Sequence, residues 1–565
     1  MKRLALVAIA AFIAAGAAAQ ELTPTDIEPI YRRSFTAVYE LTGAEPVREA
    51  AMSPDGTYVG FVRGNNLFVR DVASGKETQI TRDGRRNEII NGATDWVYEE
   101  EYMFTRAWRW SPDSRRIAWL RFDERAVPEF TMMRFGGRLY PEPYTFKYPK
   151  AGEANSVVTL HVYDLSDGTT QQVDTGAETD QYIPRIDWTP ATDQNPAGEL
   201  FFYRVNRLQN HFEVVLAENG GTGADAATEA DASVATRVIY DESSPTYVER
   251  PTDETVTFLE DGEHFAVRNE TRTGYWETYL YSVETGFVET YNTDEDSHIS
   301  VAEWNATVKD GREFFSFTPE GGVEIFGWTM TPKDFDPSGA TKYPVFMTQY
   351  SGPGSESVFV EEIHPGDMMI YRPLLDKGYI VVCVDPRGTG GRGEAFKKCT
   401  YGQLGRLETE DQIAAARHLA EQPWVDSERI GIYGWSYGGF IALNSVLKGA
   451  DVFAAAVAVA PVTSWRFYDS IYTEIYNGLP ADNPAGYDDN SPINYAHLLK
   501  GKLFLVHGSG DDNVHVQNSY EMARALVAEG KNFDMMIYPD DNHSMRPDGA
   551  LHVRRKIVDW VLGNL

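Results

Sequence analysis

The sequence predicts two successive folds: a β-propeller, then a mostly parallel, doubly wound α/β domain. Three observations carry this. The chain has 565 residues, well beyond one ordinary domain of roughly 100–200 residues. Over residues 20–310, short alternating strands recur between turn signals. From residue 311 to the end, apolar runs alternate with helical stretches.

The β half shows its units most clearly near its start. Ser53-Pro54-Asp55-Gly56 is a turn, residues 58–63 a strand, Asn65-Asn66 a turn, residues 67–72 a strand, and Ser74-Gly75 a turn. A similar unit opens at Trp110-Ser111-Pro112-Asp113. Weaker echoes open at Trp188-Thr189-Pro190 and at Phe258-Leu259-Glu260-Asp261-Gly262. Recurrent hairpins of this kind predict blades of about 40–50 residues around a channel. Residues 220–232 are rich in Gly, Ala and Asp and read as a loop. In the second half, apolar runs at residues 343–349, 379–385, 430–433, 453–459, 503–506 and 533–538 alternate with helix-like stretches at 409–420, 516–529 and 553–562. Such alternation implies parallel strands covered by helices on both faces.

Composition excludes several classes of function. Hydrophobic residues make up 42% and charged residues 24%, which is ordinary for a packed globular chain. The formal charge is -33, from 51 Lys+Arg against 84 Asp+Glu. Nucleic acid and anionic membrane surfaces would be repelled. Lys2 and Arg3, the apolar residues 4–15 and Ala17-Ala18-Ala19 read as a signal peptide over residues 1–19, too short for a stable membrane anchor. Export, to a bacterial periplasm, is the expectation. Two cysteines, Cys383 and Cys399, give no disulfide framework, and their pairing is left open. Metal-ligand spacing is absent and no cofactor is implied.

The chemistry concentrates late in the chain. Gly434-Trp435-Ser436-Tyr437-Gly438 is a G-x-S-x-G pentapeptide between the strand Ile430-Gly431-Ile432-Tyr433 and an apolar, helix-like run. That setting fits a nucleophile elbow, and the fold order predicts an acid and then a histidine downstream. A serine hydroxyl needs a base, and the base an orienting carboxylate. Asp511, in His507-Gly508-Ser509-Gly510-Asp511-Asp512-Asn513, is the chosen acid, with Asp512 its competitor. His543, in a loop after the last strand, is the chosen base. His507 and His515 are its rivals, and His507 reads as structural.

Gly-Trp-Ser-Tyr-Gly-Gly, Asp-Asp-Asn-Val-His and the late Asn-His loop together resemble the prolyl oligopeptidase family of serine peptidases. The resemblance implies an α/β-hydrolase domain over residues 311–565, paired with a propeller that restricts access to the site. Asp95-Trp96-Val97-Tyr98-Glu99-Glu100-Glu101 points to its dipeptidyl peptidase IV branch, in which Glu100 and Glu101 would grip a protonated peptide N-terminus. A free ammonium offers three donors, and two carboxylates can accept them. Residues 460–472 resemble the family's proline pocket. They imply a box of Tyr437, Val462, Trp465, Tyr468, Tyr472 and Val514, with Asn513 on a substrate carbonyl. Tyr350 and the Tyr437 amide would form the oxyanion hole, and Arg32 would meet the substrate backbone near P2. Ile475 stands where some relatives carry arginine. The implied substrates are peptides with a free N-terminus and Pro or Ala second, and the implied assembly is a homodimer. Family members are longer at the N-terminus by about two blades, so an incomplete ring is expected. The rivals are a tripeptidyl, acylaminoacyl or endopeptidase sibling, against which the glutamate pair argues, and a non-catalytic relative, against which Ser436, Asp511 and His543 argue.

Overall fold

The computed structural model describes residues 47–218, 233–293, 300–319 and 322–565. The leader-like segment and Arg32 lie outside them.

Four antiparallel sheets follow one another through the propeller. The first is a meander of Val47–Met52, Tyr58–Arg63, Asn66–Asp71 and Glu77–Gln79. The second is built on Arg116–Asp123 and Val157–Asp164, the third on Leu200–Asn206 and His211–Ala217. The fourth runs from Val256–Phe258 to Gly286–Thr293. The degenerate repeats share turn chemistry. Asp55 accepts from Thr57 N at 2.9 Å, Asp113 from Arg115 N at 3.1 Å, and Asp261 from Glu263 N at 2.9 Å. An aspartate closing its own turn is what the Pro-Asp and Asp-Gly signals encode. One continuous apolar core runs through the propeller and takes in Ile471 of the second domain.

Two insertions leave the second sheet. The helix Trp96–Glu101 interrupts it between Ile89–Asn91 and Trp108–Trp110. A hairpin of Glu129–Arg134 and Glu142–Lys147 interrupts it between its two longest strands. Neither shows in the sequence periodicity, because both are too short for a helical or blade repeat to register.

The α/β-hydrolase domain holds an eight-stranded sheet. Its spatial order is Arg312–Phe317, Ile325–Met330, Ile380–Asp385, Tyr343–Thr348, Val425–Trp435, Ala455–Val459, Lys502–Gly508 and Asp534–Tyr538. The first two strands are antiparallel, and the six that follow are parallel to one another. Helices cover both faces, so central strands such as Ile380–Asp385 are buried at every residue. The helix Val301–Thr307, closed by a Ser300–Glu303 capping box, packs beside the first strand. Cys383 is buried in its strand, Cys399 donates to the Phe396 carbonyl at 3.0 Å, and both are free thiols. No helix among the described residues is long and apolar enough to cross a membrane.

The two domains meet through buried ion pairs. Lys397 lies 2.7 Å from Glu249 and 2.5 Å from Glu270, and Lys398 donates to the Tyr247 carbonyl at 2.6 Å. Arg207 of the propeller pairs with the fully buried Glu474 at 2.7 Å. Breaking a buried pair leaves a charge without its partner. Lys397→Met should therefore lower the free energy of unfolding by about 3 kcal/mol in chemical denaturation. A loss under about 1 kcal/mol would show that water, not Lys397, holds these carboxylates.

Candidate active site

The strand Val425–Trp435 ends at Ser436, and the helix Tyr437–Lys448 begins at once. Ser436 sits at φ 59° and ψ -118°, a strained conformation for a residue with a side chain. Its N–H donates to the Val459 carbonyl at 2.9 Å, which pins the turn to the next strand. The flanking glycines are steric necessities. A Cβ on Gly434 would stand 2.1 Å from the Gly438 oxygen, and one on Gly438 would stand 2.6 Å from the Gln349 oxygen. Gln349 also donates to the Gly438 carbonyl at 2.8 Å. The strand end that carries Tyr350 is thereby fastened against the elbow.

Asp511 and His543 come from the two loops after the last two strands. His543 Nδ1 lies 2.8 Å from Asp511 Oδ2. The other Asp511 oxygen accepts from the Asn513 and Val514 amides at 3.1 and 2.9 Å. Burial alone would raise this carboxyl. The His543 charge and the hydrogen bonds of His507 and His543 outweigh it and hold Asp511 well below the usual carboxylate range. Burial would likewise lower His543, but Asp511 first, then Glu100 and Asp512, raise it above the ordinary histidine value. The competitors flank this pair, His507 Nε2 lying 3.2 Å from Asp511 Oδ2. Asp512 bonds to the Trp96 side chain. His507 is buried between Ser519 and the Val514 carbonyl. His515 is buried with its ring flat on Phe130, centroids 3.4 Å apart.

The helix Trp96–Glu101 explains its own motif. Asp95 caps it, accepting from Tyr98 N at 3.0 Å and from Ser156 Oγ at 2.6 Å. Trp96 packs on Tyr148, and Tyr98 is buried in the propeller core, accepting from Ile183 N at 3.0 Å. Glu100 and Glu101 are left to face a cavity of about 500 Å³ that Ser436, His543, Tyr350, Tyr468 and Tyr472 also line. The Asn513 side chain donates to Glu100, and Arg250 pairs with Glu101. Burial, then the Glu101 charge, pushes the Glu100 carboxyl up to about 7. The Tyr350 phenol points at Ser436 and is pushed up to about 12, by burial first and by Glu101 second, so it stays protonated.

Tyr437, Val462, Trp465, Tyr468 and Val514 are buried together with Tyr472 at their edge. Trp465 stacks on Tyr472 at 5.8 Å and meets Tyr468 edge-on at 5.8 Å, and Tyr468 meets Tyr472 edge-on at 5.4 Å. The Tyr437 hydroxyl is tied to buried Glu408 at 2.7 Å, leaving its ring as wall and its N–H at the helix start. The Tyr468 hydroxyl donates to Asn513 Oδ1 at 2.8 Å. Ile475 is buried in the same cluster. Sequence reasoning missed Arg250, Glu408, Gln349 and Tyr148. Among the described residues, His211, Glu213 and Asp241 bring three potential metal ligands within 4.8 Å, but Glu213 is committed to Arg204 at 2.5 Å and none lines the cavity.

Comparison with known proteins agrees with this arrangement. Residues 14–311 match a family model described as the dipeptidyl peptidase IV N-terminal region, and residues 368–565 match one described as the prolyl oligopeptidase family. The chain belongs to the prolyl oligopeptidase family, in its dipeptidyl peptidase IV branch. It is a serine-type dipeptidyl peptidase. A probable dipeptidyl-aminopeptidase B of Podospora anserina is 31% identical, over 96% of this chain and 70% of the relative. That of Talaromyces marneffei is 32% identical, over 91% and 69%. The crystal structure of Porphyromonas gingivalis dipeptidyl peptidase 4 superposes with a TM-score of 0.84 at 35% identity, covering 93% of this chain and 84% of that one.

The elbow sterics give a direct test. Gly434→Ala must displace the Gly438 backbone. It should abolish labelling of Ser436 by a fluorophosphonate probe, whereas labelling near the wild-type rate would show that the turn tolerates a Cβ.

Proposed function

We propose that this enzyme removes Xaa-Pro and Xaa-Ala dipeptides from free peptide N-termini through an acyl-enzyme on Ser436. The observation that carries the reading is that Glu100, Glu101 and Ser436 face one cavity, with Asn513 bonded to Glu100 from the loop that also holds Asp511. An ammonium held by the two carboxylates fixes where the chain starts. The aromatic box of Tyr437, Val462, Trp465, Tyr468, Tyr472 and Val514 suits a flat, compact ring at the second residue and excludes long side chains.

The proposed steps are these. His543, oriented by Asp511, takes the Ser436 proton as Oγ attacks the carbonyl after residue two. The Tyr350 hydroxyl and the Tyr437 N–H donate to the oxyanion, and loss of one such donor costs on the order of 100–1000-fold in turnover. His543 returns the proton to the leaving amine, the shortened peptide departs, and water attacks the ester with His543 again as base. The dipeptide then leaves. The leader-like residues 1–19 support export to a periplasm. A homodimer is supported by the hairpin tip, where Leu139 is 90% and Tyr140 78% exposed.

Two experiments test this. Glu100→Gln with Glu101→Gln removes two charge-assisted bonds, each about 1.5–3 kcal/mol, so kcat/KM for Gly-Pro-anilide should fall by at least about 100-fold. An unchanged rate, or equal cleavage of the N-acetylated substrate by the wild type, would overturn the clamp. The pH profile follows from the raised groups. Glu100, at about 7, is charged only above that pH, and His543, raised above 6.5, is a base only above its own pKa. Activity is therefore lost as pH falls through 7, and lost again as the substrate amine deprotonates near about 8. The kcat/KM profile for Gly-Pro-anilide should show both limbs; a plateau continuing below pH 6 would contradict these assignments.

A further inference from the structure

The hairpin that leaves the second propeller sheet does not project freely. Its turn lies against the loop that ends in His543. Phe135 N and Gly136 N, two successive backbone amides, donate to the two oxygens of Asp540 at 2.8 and 2.6 Å. Successive N–H groups aimed at one carboxylate make an anion-binding concavity. Asp540 has a left-handed backbone, φ 61°, and its own N–H donates to Ser509 Oγ at 2.8 Å. Ser509 lies two residues before Asp511, and its N–H donates to the Tyr538 carbonyl at 2.9 Å. The grip thus falls where the acid loop and the base loop are tied together.

The hairpin's root holds the acid loop from its other side. The Phe130 ring lies flat on His515, and Tyr148 donates to the Asn513 carbonyl at 2.9 Å. His543 itself reaches the rest of the hydrolase domain through its carbonyl, which accepts from Trp435 Nε1 at 3.0 Å, and through Asp511.

We propose that Asp540 is a positioning residue, through which the propeller hairpin sets the His543 loop against Asp511 and Ser436. This rests on the triad reading given above. Strain and contact point the same way. A left-handed aspartate persists only where its surroundings fix it; here Ser509 and Arg546 hold its backbone, and the hairpin of the other domain holds its side chain. Arg546, whose side chain bonds Asp541 and the Asp540 carbonyl, closes the loop within the hydrolase domain. The hairpin therefore supplies what the hydrolase domain lacks at this loop, a pair of donors for the Asp540 side chain.

Misplacement of a catalytic group by about 1 Å can cost about 100-fold, so partial release of one anchor should cost about tenfold in kcat. The test uses the full-length enzyme and Gly-Pro-anilide. Asp540→Ala is expected to lower kcat about tenfold with KM within about twofold, because the amine clamp and aromatic box are untouched. Asp540→Asn keeps one carbonyl acceptor and should fall between this variant and the wild type. The acid limb of kcat reports the enzyme–substrate complex, where the bound amine holds Glu100 charged. His543 then titrates against Asp511, Asp512 and Glu100, and in Asp540→Ala its limb should move down toward 6.5 as the Asp511 contact loosens. Hydrogen exchange at the Phe135 and Gly136 amides should quicken in the same variant. A kcat and acid limb both matching the wild type, with exchange quickened, would reject the positioning role. Unchanged exchange would reject the grip itself. His543→Ala run alongside separates the two readings: its inactivity with a normal Asp540→Ala rejects only the hairpin's role, and its retained turnover rejects the triad.

Discussion

Asn513 is where the two domains become one site. Its N–H donates to Asp511, its carbonyl accepts from Tyr148 of the propeller, its amide donates to Glu100, and its side-chain oxygen accepts from Tyr468 of the aromatic box. One residue therefore carries register between the candidate triad, the acidic helix and the pocket. On the proposed reading, the distance from a bound amine to Ser436 is a property of neither domain alone. It depends on how the propeller docks, and Asn513 is the contact through which that docking is felt.

The rest of the junction is built to make the docking specific. Arg207 with Glu474, and Lys397 with Glu249 and Glu270, each cross it. Charges taken out of water contribute little net stability when paired and cost several kcal/mol when mispaired. Such contacts penalise every alternative seating of one domain on the other. An apolar seam would slide, whereas this one seats Glu474, Glu249 and Glu270 against cations of the opposite domain. The propeller core's inclusion of Ile471, next to the box residue Tyr472, ties that register to the pocket wall.

What the sequence revealed and what it hid divide along the same line. Hairpin repeats were legible because an aspartate closes its own turn within three residues. The elbow was legible because the glycine clashes at 434 and 438 are local. The sheet was legible because strands buried on both faces are written as apolar runs. Arg250 facing Glu101 and Asn513 facing Glu100 were not legible, since these partners lie 149 and 413 residues apart and neither sits in a pattern. The helix Trp96–Glu101 was visible as a motif and invisible as a helix, because six residues complete less than two turns. The two antiparallel strands that open the hydrolase sheet, and the hairpin against the late loops, escaped as well. Their meaning lies in what they touch.

The inequality of the two glutamates is the last consequence of this arrangement. Glu101 already has a cation in Arg250, while Glu100 has only the neutral amide of Asn513 and is held up to about 7 by burial and by its neighbour. The cavity thus holds one carboxylate's worth of unanswered charge. On the proposed reading, an arriving ammonium supplies that missing charge, and its remaining donors reach the carboxylate that Arg250 holds in place. A neutral N-terminus would bring fewer donors and no charge, leaving Glu100 with Asn513 alone. On that reading, selection for a free amine needs no steric gate. It would follow from leaving one of two adjacent carboxylates without a cation.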